Sequence, residues 1–439
     1  MRALVTTLLI ALAADPAAAR CADPPSRPGV DSPELAHPGS FAVGVRTLEL
    51  IDKDQVDVLA FDPATRTAPR RDRHLTVDLW YPAEIAAGAQ PETYTAELPA
   101  EPPAAPAKFS VPGIAVRNAR ASGAHYPLVI VSHGYSNVTV AMSWLTENLA
   151  SKGYVVAAIR HEDPPITERT GFPEVLLRRP LDIAFVAASL QASLGREGLI
   201  DPAHVALIGY SMGGYGVLTA GGATLDSAGP VAQLVPAGLV LPFARGGSLE
   251  DRVHVKSVKA VVALAPAGGG TLAAWGHGGL ATLHAPLLLI AGDNDRTVDY
   301  ASGARAFLDA ATGAERYLLT FKNGGHSIGL NPAPDTMRQR LWDLDWFEDP
   351  VWRKERIVAV NLHIITAFLD RYVKGDESRA SYLDVPVADG NAGRWPAPGP
   401  AHYADYSPAT GAITVWKGFQ QKSAAGLELL ERKAESAAP

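Results

Sequence analysis

Apolar runs of strand length alternate with segments of helical spacing through the middle of the chain. The runs contain few polar residues, which is typical of strands buried on both faces of a parallel sheet. They cover residues 127–132, 154–159, 205–208, 258–265, 285–291 and 316–321. Segments with helical spacing follow at residues 142–149, 175–194, 302–311 and 351–373. This alternation predicts an α/β fold, with a mainly parallel sheet of about eight strands and helices on both faces.

Two earlier segments, residues 41–51 and 74–81, alternate apolar and polar positions. This pattern predicts an antiparallel pair of strands at the start of the sheet. Within the helical segment at 175–194, Pro180 predicts either a first-turn position or a kink, because proline cannot donate the backbone hydrogen bond of a helix interior.

We assign residues 41–375 to one domain and residues 376–439 to a C-terminal extension, packed on the domain or trailing from it. The domain carries insertions near residues 82–125, 221–255 and 267–284. The first is rich in Pro and Ala and predicts a long surface excursion. The other two either shape a substrate pocket or only cover the sheet.

The N-terminus resembles a secretory signal peptide over residues 1–19. Arg2 precedes an apolar stretch at residues 3–14, and Ala17, Ala18 and Ala19 provide small residues for cleavage. The stretch is too short to span a bilayer, and the alternative is a buried N-terminal helix. The sequence therefore predicts export to the periplasm or the extracellular space.

The segment after this signal, residues 20–40, is rich in proline and predicts a flexible leader. The chain has one cysteine, Cys21, so an intramolecular disulfide is impossible. Its position invites lipidation, but Arg20 occupies the place where a lipobox needs a small residue. Plain export is therefore the preferred interpretation.

Charge and composition exclude some classes of partner. The formal net charge of −7 provides no basic field for a phosphate backbone, so nucleic acid is not expected as a partner. No Cys/His cluster, carboxylate array or phosphate-binding glycine motif predicts a metal or a cofactor. No run beyond the N-terminus is long and apolar enough to span a membrane. The sequence leaves the oligomeric state open.

The strongest chemical signal is Gly209-Tyr210-Ser211-Met212-Gly213, which joins an apolar strand to a helical segment. A serine between two glycines at such a junction is typical of a nucleophile elbow, in which a sharp turn exposes the hydroxyl group. The glycines are needed because side chains there would collide with neighbouring backbone. Ser211 is therefore the candidate nucleophile, and the N–H of Met212 is a candidate oxyanion donor.

A serine hydroxyl needs a histidine to accept its proton and a carboxylate to orient that histidine. The strand at 285–291 ends in a turn with Asp293 and Asp295, and the strand at 316–321 ends in a glycine pair followed by His326. Asp295 is the preferred acid, and Asp293 instead suits a hydrogen bond to the backbone of its turn. His326 is the candidate base.

The loop after residues 127–132 begins with His133, Gly134 and Tyr135. Gly134 permits close approach, so the N–H of Tyr135 is the second candidate oxyanion donor. His133 is expected to hold this loop. Further candidates for substrate contact are Gly134 itself, Ser136, Tyr210, His161 and Trp275. For His161 a plain loop histidine is the alternative, and for Trp275 the alternative is a residue that covers the sheet.

These motifs together resemble the α/β-hydrolase superfamily, in particular bacterial platelet-activating-factor acetylhydrolase and dienelactone-hydrolase-like proteins, which are related to polyester hydrolases and cutinases. The resemblance includes the segments Leu79-Trp80-Tyr81-Pro82 and Phe368-Leu369-Asp370-Arg371-Tyr372 and covers most of the chain after the leader. It implies an α/β-hydrolase fold, with Ser211, Asp295 and His326 as a catalytic triad and Tyr135 and Met212 as oxyanion donors.

The expected function is hydrolysis of a small or polymeric carboxylic ester through an acyl-enzyme intermediate. Three alternatives remain: a polyester depolymerase, which needs an open groove; an amidase or peptidase on the same scaffold; and a non-catalytic binding protein. The last predicts a broken triad position, and each position is occupied by a competent residue.

Overall fold

The computed structural model describes residues 23–98, 105–394, 413–420 and 423–435. The predicted signal peptide and Cys21 lie outside these residues. The strands are β1 (Val43–Val56), β2 (Arg70–Glu84), β3 (Thr93–Leu98), β4 (Ala107–Pro112), β5 (Val116–Arg117), β6 (Arg120–Ala121), β7 (Tyr126–Ser132), β8 (Val155–Arg160), β9 (Ile200–Tyr210), β10 (Val258–Leu264), β11 (Leu287–Gly292), β12 (Arg316–Phe321) and β13 (Leu427–Arg432). The helices are α1 (Ser143–Ser151), α2 (Phe172–Arg196), α3 (Met212–Ala220), α4 (Pro230–Leu234), α5 (Ala306–Ala310), α6 (Leu341–Asp345), α7 (Lys354–Tyr372) and α8 (Ala380–Leu383).

Within the described residues, one sheet of 11 strands forms the centre of the molecule. Its order is β13-β12-β11-β10-β9-β7-β8-β2-β1-β5, with β6 paired to β2. Strands β7 to β12 are parallel to one another. Strand β2 pairs antiparallel with β1 and β8, β13 pairs antiparallel with β12, and the short β5 pairs parallel with β1. The predicted mainly parallel sheet and its antiparallel first pair are confirmed. The sheet exceeds the expected eight strands because β13 and the two-residue strands β5 and β6 extend it.

The apolar strands separate two layers of core. On β7, Leu128 and Ile130 face one layer while Val129 and Val131 face the other, because successive side chains of a strand point to opposite faces. The layer of Leu128 packs against α2 and α3, and the layer of Val129 packs against α1 and α7. Helices therefore cover both faces of the sheet.

Pro180 lies in the interior of α2, which begins at Phe172. The helix thus starts before the predicted segment, and of the two alternatives given for Pro180 the first-turn position is wrong. Apolar side chains such as Leu176 and Ile183 are fully buried on either side of it. Packing of this face against the sheet offsets the hydrogen bond that proline removes.

The first two insertions and the C-terminal extension pack against the domain. In the first insertion, β3 and β4 pair antiparallel, and the buried Tyr94 donates a hydrogen bond from its hydroxyl group to Glu147 at 2.7 Å. Val231, from the second insertion, joins the core beside α2. The extension supplies β13, which covers the edge of β12 and buries Leu427 and Leu429.

Residues 23–40 pack against the domain, so the expectation of a flexible leader is wrong for them. Ser26 and Ala36 are fully buried. The side-chain amide of Asn148 donates to their carbonyl groups at 2.9 and 3.0 Å, and the hydroxyl group of Ser26 donates to Glu147 at 2.7 Å. The buried amide of Asn148 thus satisfies two backbone carbonyl groups of this segment.

No helix in the part of the chain that the structure describes is long and apolar enough to cross a bilayer.

Candidate active site

The candidate nucleophile lies on a strained turn between β9 and α3. Ser211 has φ 55° and ψ −117°, a conformation that is costly for a residue with a side chain. A Cβ atom on Gly209 would lie 2.1 Å from the carbonyl oxygen of Gly213, and one on Gly213 would lie 1.9 Å from that of Ser132. Both glycines are therefore required by close backbone contact, as the motif predicts.

Ser211, His326 and Asp295 form a continuous chain of hydrogen bonds. The hydroxyl oxygen of Ser211 lies 3.0 Å from Nε2 of His326, and Nδ1 of His326 lies 2.7 Å from Oδ2 of Asp295. Asp295 is only 4% exposed, and its Oδ1 accepts the N–H groups of Thr297 and Val298. The carboxylate is thus fixed by its own turn and holds the imidazole in one orientation.

Asp293 makes a different contact. It accepts a hydrogen bond from the N–H of Asn323 at 2.5 Å and so ties the turn after β11 to the loop after β12. Of the two carboxylates in this turn, the geometry brings Asp295 to His326, in line with the preference from the sequence.

Several residues hold the loop that carries His326. The ring of Tyr210 lies 5.2 Å from the imidazole, and Asp349 accepts the N–H of Gly325 at 2.6 Å. The ammonium group of Lys354 donates to the carbonyl group of Ser327, and burial lowers the pKa of Lys354 to about 7. Sequence reasoning missed Asp349 and Lys354, because nothing in their spacing marks them.

The two backbone N–H groups predicted as oxyanion donors are those of Met212 and Tyr135. Met212 is the first residue of α3, where N–H groups lack an intrahelical acceptor. The N–H of Tyr135 donates no hydrogen bond to any of the described residues. Gly134 brings this loop against the nucleophile, since a Cβ atom on it would lie 3.4 Å from that of Ser211. The loop after β7 therefore lies next to Ser211.

The remaining candidates for substrate contact divide into two groups. Tyr135 and Ser136 are partly exposed beside the site, and the N–H of Ser136 donates to Asp163 at 2.9 Å. Tyr210 is buried beneath His326. The prediction that His161 and Trp275 line the substrate pocket is wrong, because both rings are buried and have partners in the core.

His161 uses both ring nitrogens inside the protein. Nδ1 lies 2.9 Å from Oδ2 of Asp182, and Nε2 lies 2.9 Å from the hydroxyl oxygen of Ser132. Burial, with the positive charge of Arg179, lowers its pKa to about 3, so the imidazole is neutral at pH 7. Trp275 packs between Tyr215 and Phe307.

Comparison with known proteins agrees with this architecture. Residues 113–236 match the PETase family, described as PET hydrolase-like. A ferulic acid esterase from Streptomyces cinnamoneus superposes with a TM-score of 0.52 at 22% identity, over 81% of this chain and 97% of that one. The chain has the α/β-hydrolase fold. It is related to the polyester hydrolases and esterases of that fold.

Two cutinases of Thermobifida alba, est1 and est2, are each 33% identical to this chain over 93 residues. Each alignment covers 21% of this chain and 29% of the cutinase. The chain therefore matches less than a third of the length of these curated relatives. The PETase match includes Ser211 and Tyr135, whereas Asp295 and His326 lie beyond it.

A buried ionic network lies close to the candidate site. Arg73 binds Asp182 through two hydrogen bonds of 2.7 and 2.8 Å, and Asp182 also holds His161. Arg179 pairs with Asp163, and both side chains are almost fully buried. Sequence reasoning missed these four charged residues. The sequence feature that could have indicated the network is the presence of two charged residues, Arg179 and Asp182, among the apolar residues of a predicted helix.

Proposed function

We propose that this protein is an exported serine hydrolase that cleaves carboxylic esters. The observation that carries the proposal is the hydrogen-bonded chain from Ser211 through His326 to Asp295, with distances of 3.0 and 2.7 Å. The relatives support the same class, since they include cutinases and a ferulic acid esterase. Export rests on the predicted signal peptide at residues 1–19.

Acyl transfer follows from this arrangement. His326 Nε2 accepts the hydroxyl proton as the Ser211 oxygen bonds to the ester carbonyl carbon. The N–H groups of Tyr135 and Met212 stabilise the resulting oxyanion. The protonated His326 then gives its proton to the leaving alcohol, and an acyl-enzyme forms.

Deacylation repeats these steps with water. His326 takes a proton from a water molecule as the water oxygen attacks the acyl carbon. The intermediate then collapses with cleavage of the bond between the acyl carbon and the Ser211 oxygen, the protonated His326 returns its proton to that oxygen, and the acid is released. Asp295 stabilises the positive charge on His326 in both halves of the reaction. No cofactor is needed for the proposed chemistry.

The test is a rate series on p-nitrophenyl esters from acetyl to dodecanoyl, with Ser211→Ala alongside. We expect the variant to lose about 10⁶-fold in kcat, the order seen when the nucleophile of a triad is removed. Ser381→Ala is the control, because this serine is exposed and bonds only to polar groups of the C-terminal part of the chain. An ester turnover that Ser211→Ala leaves unchanged would refute the proposal.

Matched amide substrates separate an esterase from an amidase or peptidase. Amides have the poorer leaving group, so an esterase should hydrolyse p-nitroanilides far more slowly than the corresponding p-nitrophenyl esters. Comparable rates would favour the amidase alternative. Turnover of neither substrate would favour a non-catalytic binding protein.

A second candidate, a polyester depolymerase, is favoured by the match of residues 113–236 to the PET hydrolase-like family. Its test is the release of soluble monomers from an insoluble polyester film, measured with the wild type and with Ser211→Ala. Release by the wild type alone would support depolymerisation. Esterase activity without release from the film would restrict the substrate to small esters.

A further inference from the structure

The guanidinium group of Arg179 contacts the backbone of the loop that carries Tyr135. Its Nη1 donates to the carbonyl oxygen of His133 at 2.5 Å and to the hydroxyl oxygen of Ser132 at 3.2 Å. Its Nη2 donates to the carbonyl oxygen of Gly134 at 3.1 Å and also binds Asp163. One fully buried side chain of α2 therefore binds two consecutive carbonyl groups beside the nucleophile.

The Gly134 carbonyl belongs to the same peptide unit as the N–H of Tyr135. In a planar trans peptide the C=O and N–H bonds point in opposite directions. A donor that fixes the Gly134 oxygen therefore also fixes the direction of the Tyr135 N–H. That N–H has no acceptor among the described residues.

Two further groups hold the same carbonyl. Nδ1 of His133 lies 2.7 Å from the Gly134 oxygen, and the N–H of Asn137 donates to it at 3.3 Å. Nε2 of His133 accepts the N–H of His161, so Nδ1 carries the ring proton and is the donor. Burial lowers the pKa of His133 to about 3, which keeps this neutral tautomer at pH 7.

Asp163 connects Arg179 to the peptide unit that follows Tyr135. It accepts the N–H of Ser136, which has a positive φ of 51°, and it pairs with Arg179. The carboxylate neutralises the buried guanidinium charge, which would otherwise be costly. Arg179 and Asp163 thus hold the peptide units on both sides of Tyr135.

We propose that Arg179, paired with Asp163, is a positioning residue that aims the Tyr135 N–H at the substrate oxyanion by clamping the Gly134 carbonyl. The clamp rests on the proposed function, because an oxyanion forms only if Ser211 attacks a carbonyl group. Arg179 touches no substrate and acts through the loop. Its fork of donors suits this task, since a lysine ammonium group is a single point charge on a flexible stem.

The expected signature is a loss in kcat with little change in KM. An oxyanion donor acts on charge that develops only in the transition state. Complete removal of one donor costs about 10²–10³-fold in rate, so a misdirected donor should cost roughly 10- to 100-fold. A purely structural role would lower the amount of active enzyme, but it would not lower kcat per active site at constant KM.

The experiment compares Arg179→Lys with Arg178→Lys. Arg178 is the matched control, because it is the neighbouring buried arginine of α2 and binds Gln55 and Val56 rather than the loop. The rates of ester hydrolysis are measured per active site, after titration with an irreversible serine reagent. We expect kcat to fall 10- to 100-fold for Arg179→Lys and less than threefold for Arg178→Lys.

A second readout uses a trifluoromethyl ketone, which adds to the nucleophile and places an oxyanion in the site. Its inhibition constant should rise for Arg179→Lys by the factor by which kcat/KM falls, while inhibition by the product acid stays unchanged. Equal effects in the two lysine variants, or an unchanged kcat for Arg179→Lys, would overturn the clamp and leave the esterase proposal intact. Absence of Ser211-dependent turnover in the wild type would overturn both.

If Arg179→Lys does not fold, Asp163→Asn gives the same test. The asparagine can still accept the N–H of Ser136 but no longer pairs its charge with Arg179. We expect its kcat to fall about tenfold at constant KM, as a partly loosened donor should. An Asp163→Asn enzyme that is folded and has the kcat of the wild type would overturn the clamp.

Discussion

The buried histidine of α7 provides a test of the electrostatics far from the candidate site. Nδ1 of His363 accepts the N–H of Leu35 at 3.0 Å, and Nε2 lies 3.2 Å from the carbonyl oxygen of Lys417, to which it donates. The ring thus connects residues before β1 with residues after α8. The perturbation is His363→Gln, because a glutamine amide can accept one of these bonds and donate the other.

The sign of the effect follows from the pKa of His363. Burial lowers this pKa from 6.5 to about 3, and the positive charges of Lys152 and Arg379 act in the same direction. Above pH 6.5 the ring is neutral in both states and its contribution to stability is complete. As the pH falls below 6.5 the unfolded chain binds a proton that the folded protein does not bind. Stability is therefore lost progressively down to about pH 3.

The size of the effect follows from the same two values. Between pH 7.5 and pH 5.5, protonation of one histidine in the unfolded chain costs about 1.4 kcal/mol of folding free energy. His133 and His161 act in the same direction, but both are present in the wild type and in the variant. Their contribution cancels when the two proteins are compared.

The assay is equilibrium unfolding in urea at pH 7.5 and pH 5.5. We expect the wild type to lose about 1.4 kcal/mol more than His363→Gln between the two values, whatever the absolute stability of the variant. His284→Gln is the control, because the side chain of His284 is exposed. Equal losses in the wild type and in His363→Gln would refute the account of a buried neutral histidine.

Three further predictions concern the site and the added strand. Asp295→Asn should lower kcat about 10⁴-fold on p-nitrophenyl esters, as for other triads, whereas Asp293→Asn should keep most activity; the reverse order would assign the acid to Asp293. Gly213→Ala should abolish ester hydrolysis and lower the urea midpoint, since its Cβ atom would meet the Ser132 carbonyl group at 1.9 Å, and wild-type behaviour would contradict this contact. Leu429→Ala should destabilise the protein by about 2–5 kcal/mol in urea, because this side chain of β13 is buried, and a change below about 0.5 kcal/mol would mean that β13 is dispensable.

The N-terminal and C-terminal parts of the chain show where local patterns are insufficient. The prolines predict a flexible leader at residues 20–40, but they do not reveal that Asn148 binds this segment across more than 100 residues of sequence. Strand β13 likewise depends on the free edge of β12. Both segments take their structure from partners that only the folded domain supplies.

The sequence by itself predicted the central strands and the main helices between them, and it marked Ser211, Asp295 and His326, whose side chains the fold brings together. Each of these signals is local, because a motif at the end of a buried strand needs only its own turn and its own strand. The tertiary structure decided that His161 and Trp275 lie in the core and that Arg179 holds the loop before Tyr135. Arg179 and His133 are 46 residues apart in sequence. Periodicity places a charged residue on a helix, but only its position in space selects the partner that makes its burial possible.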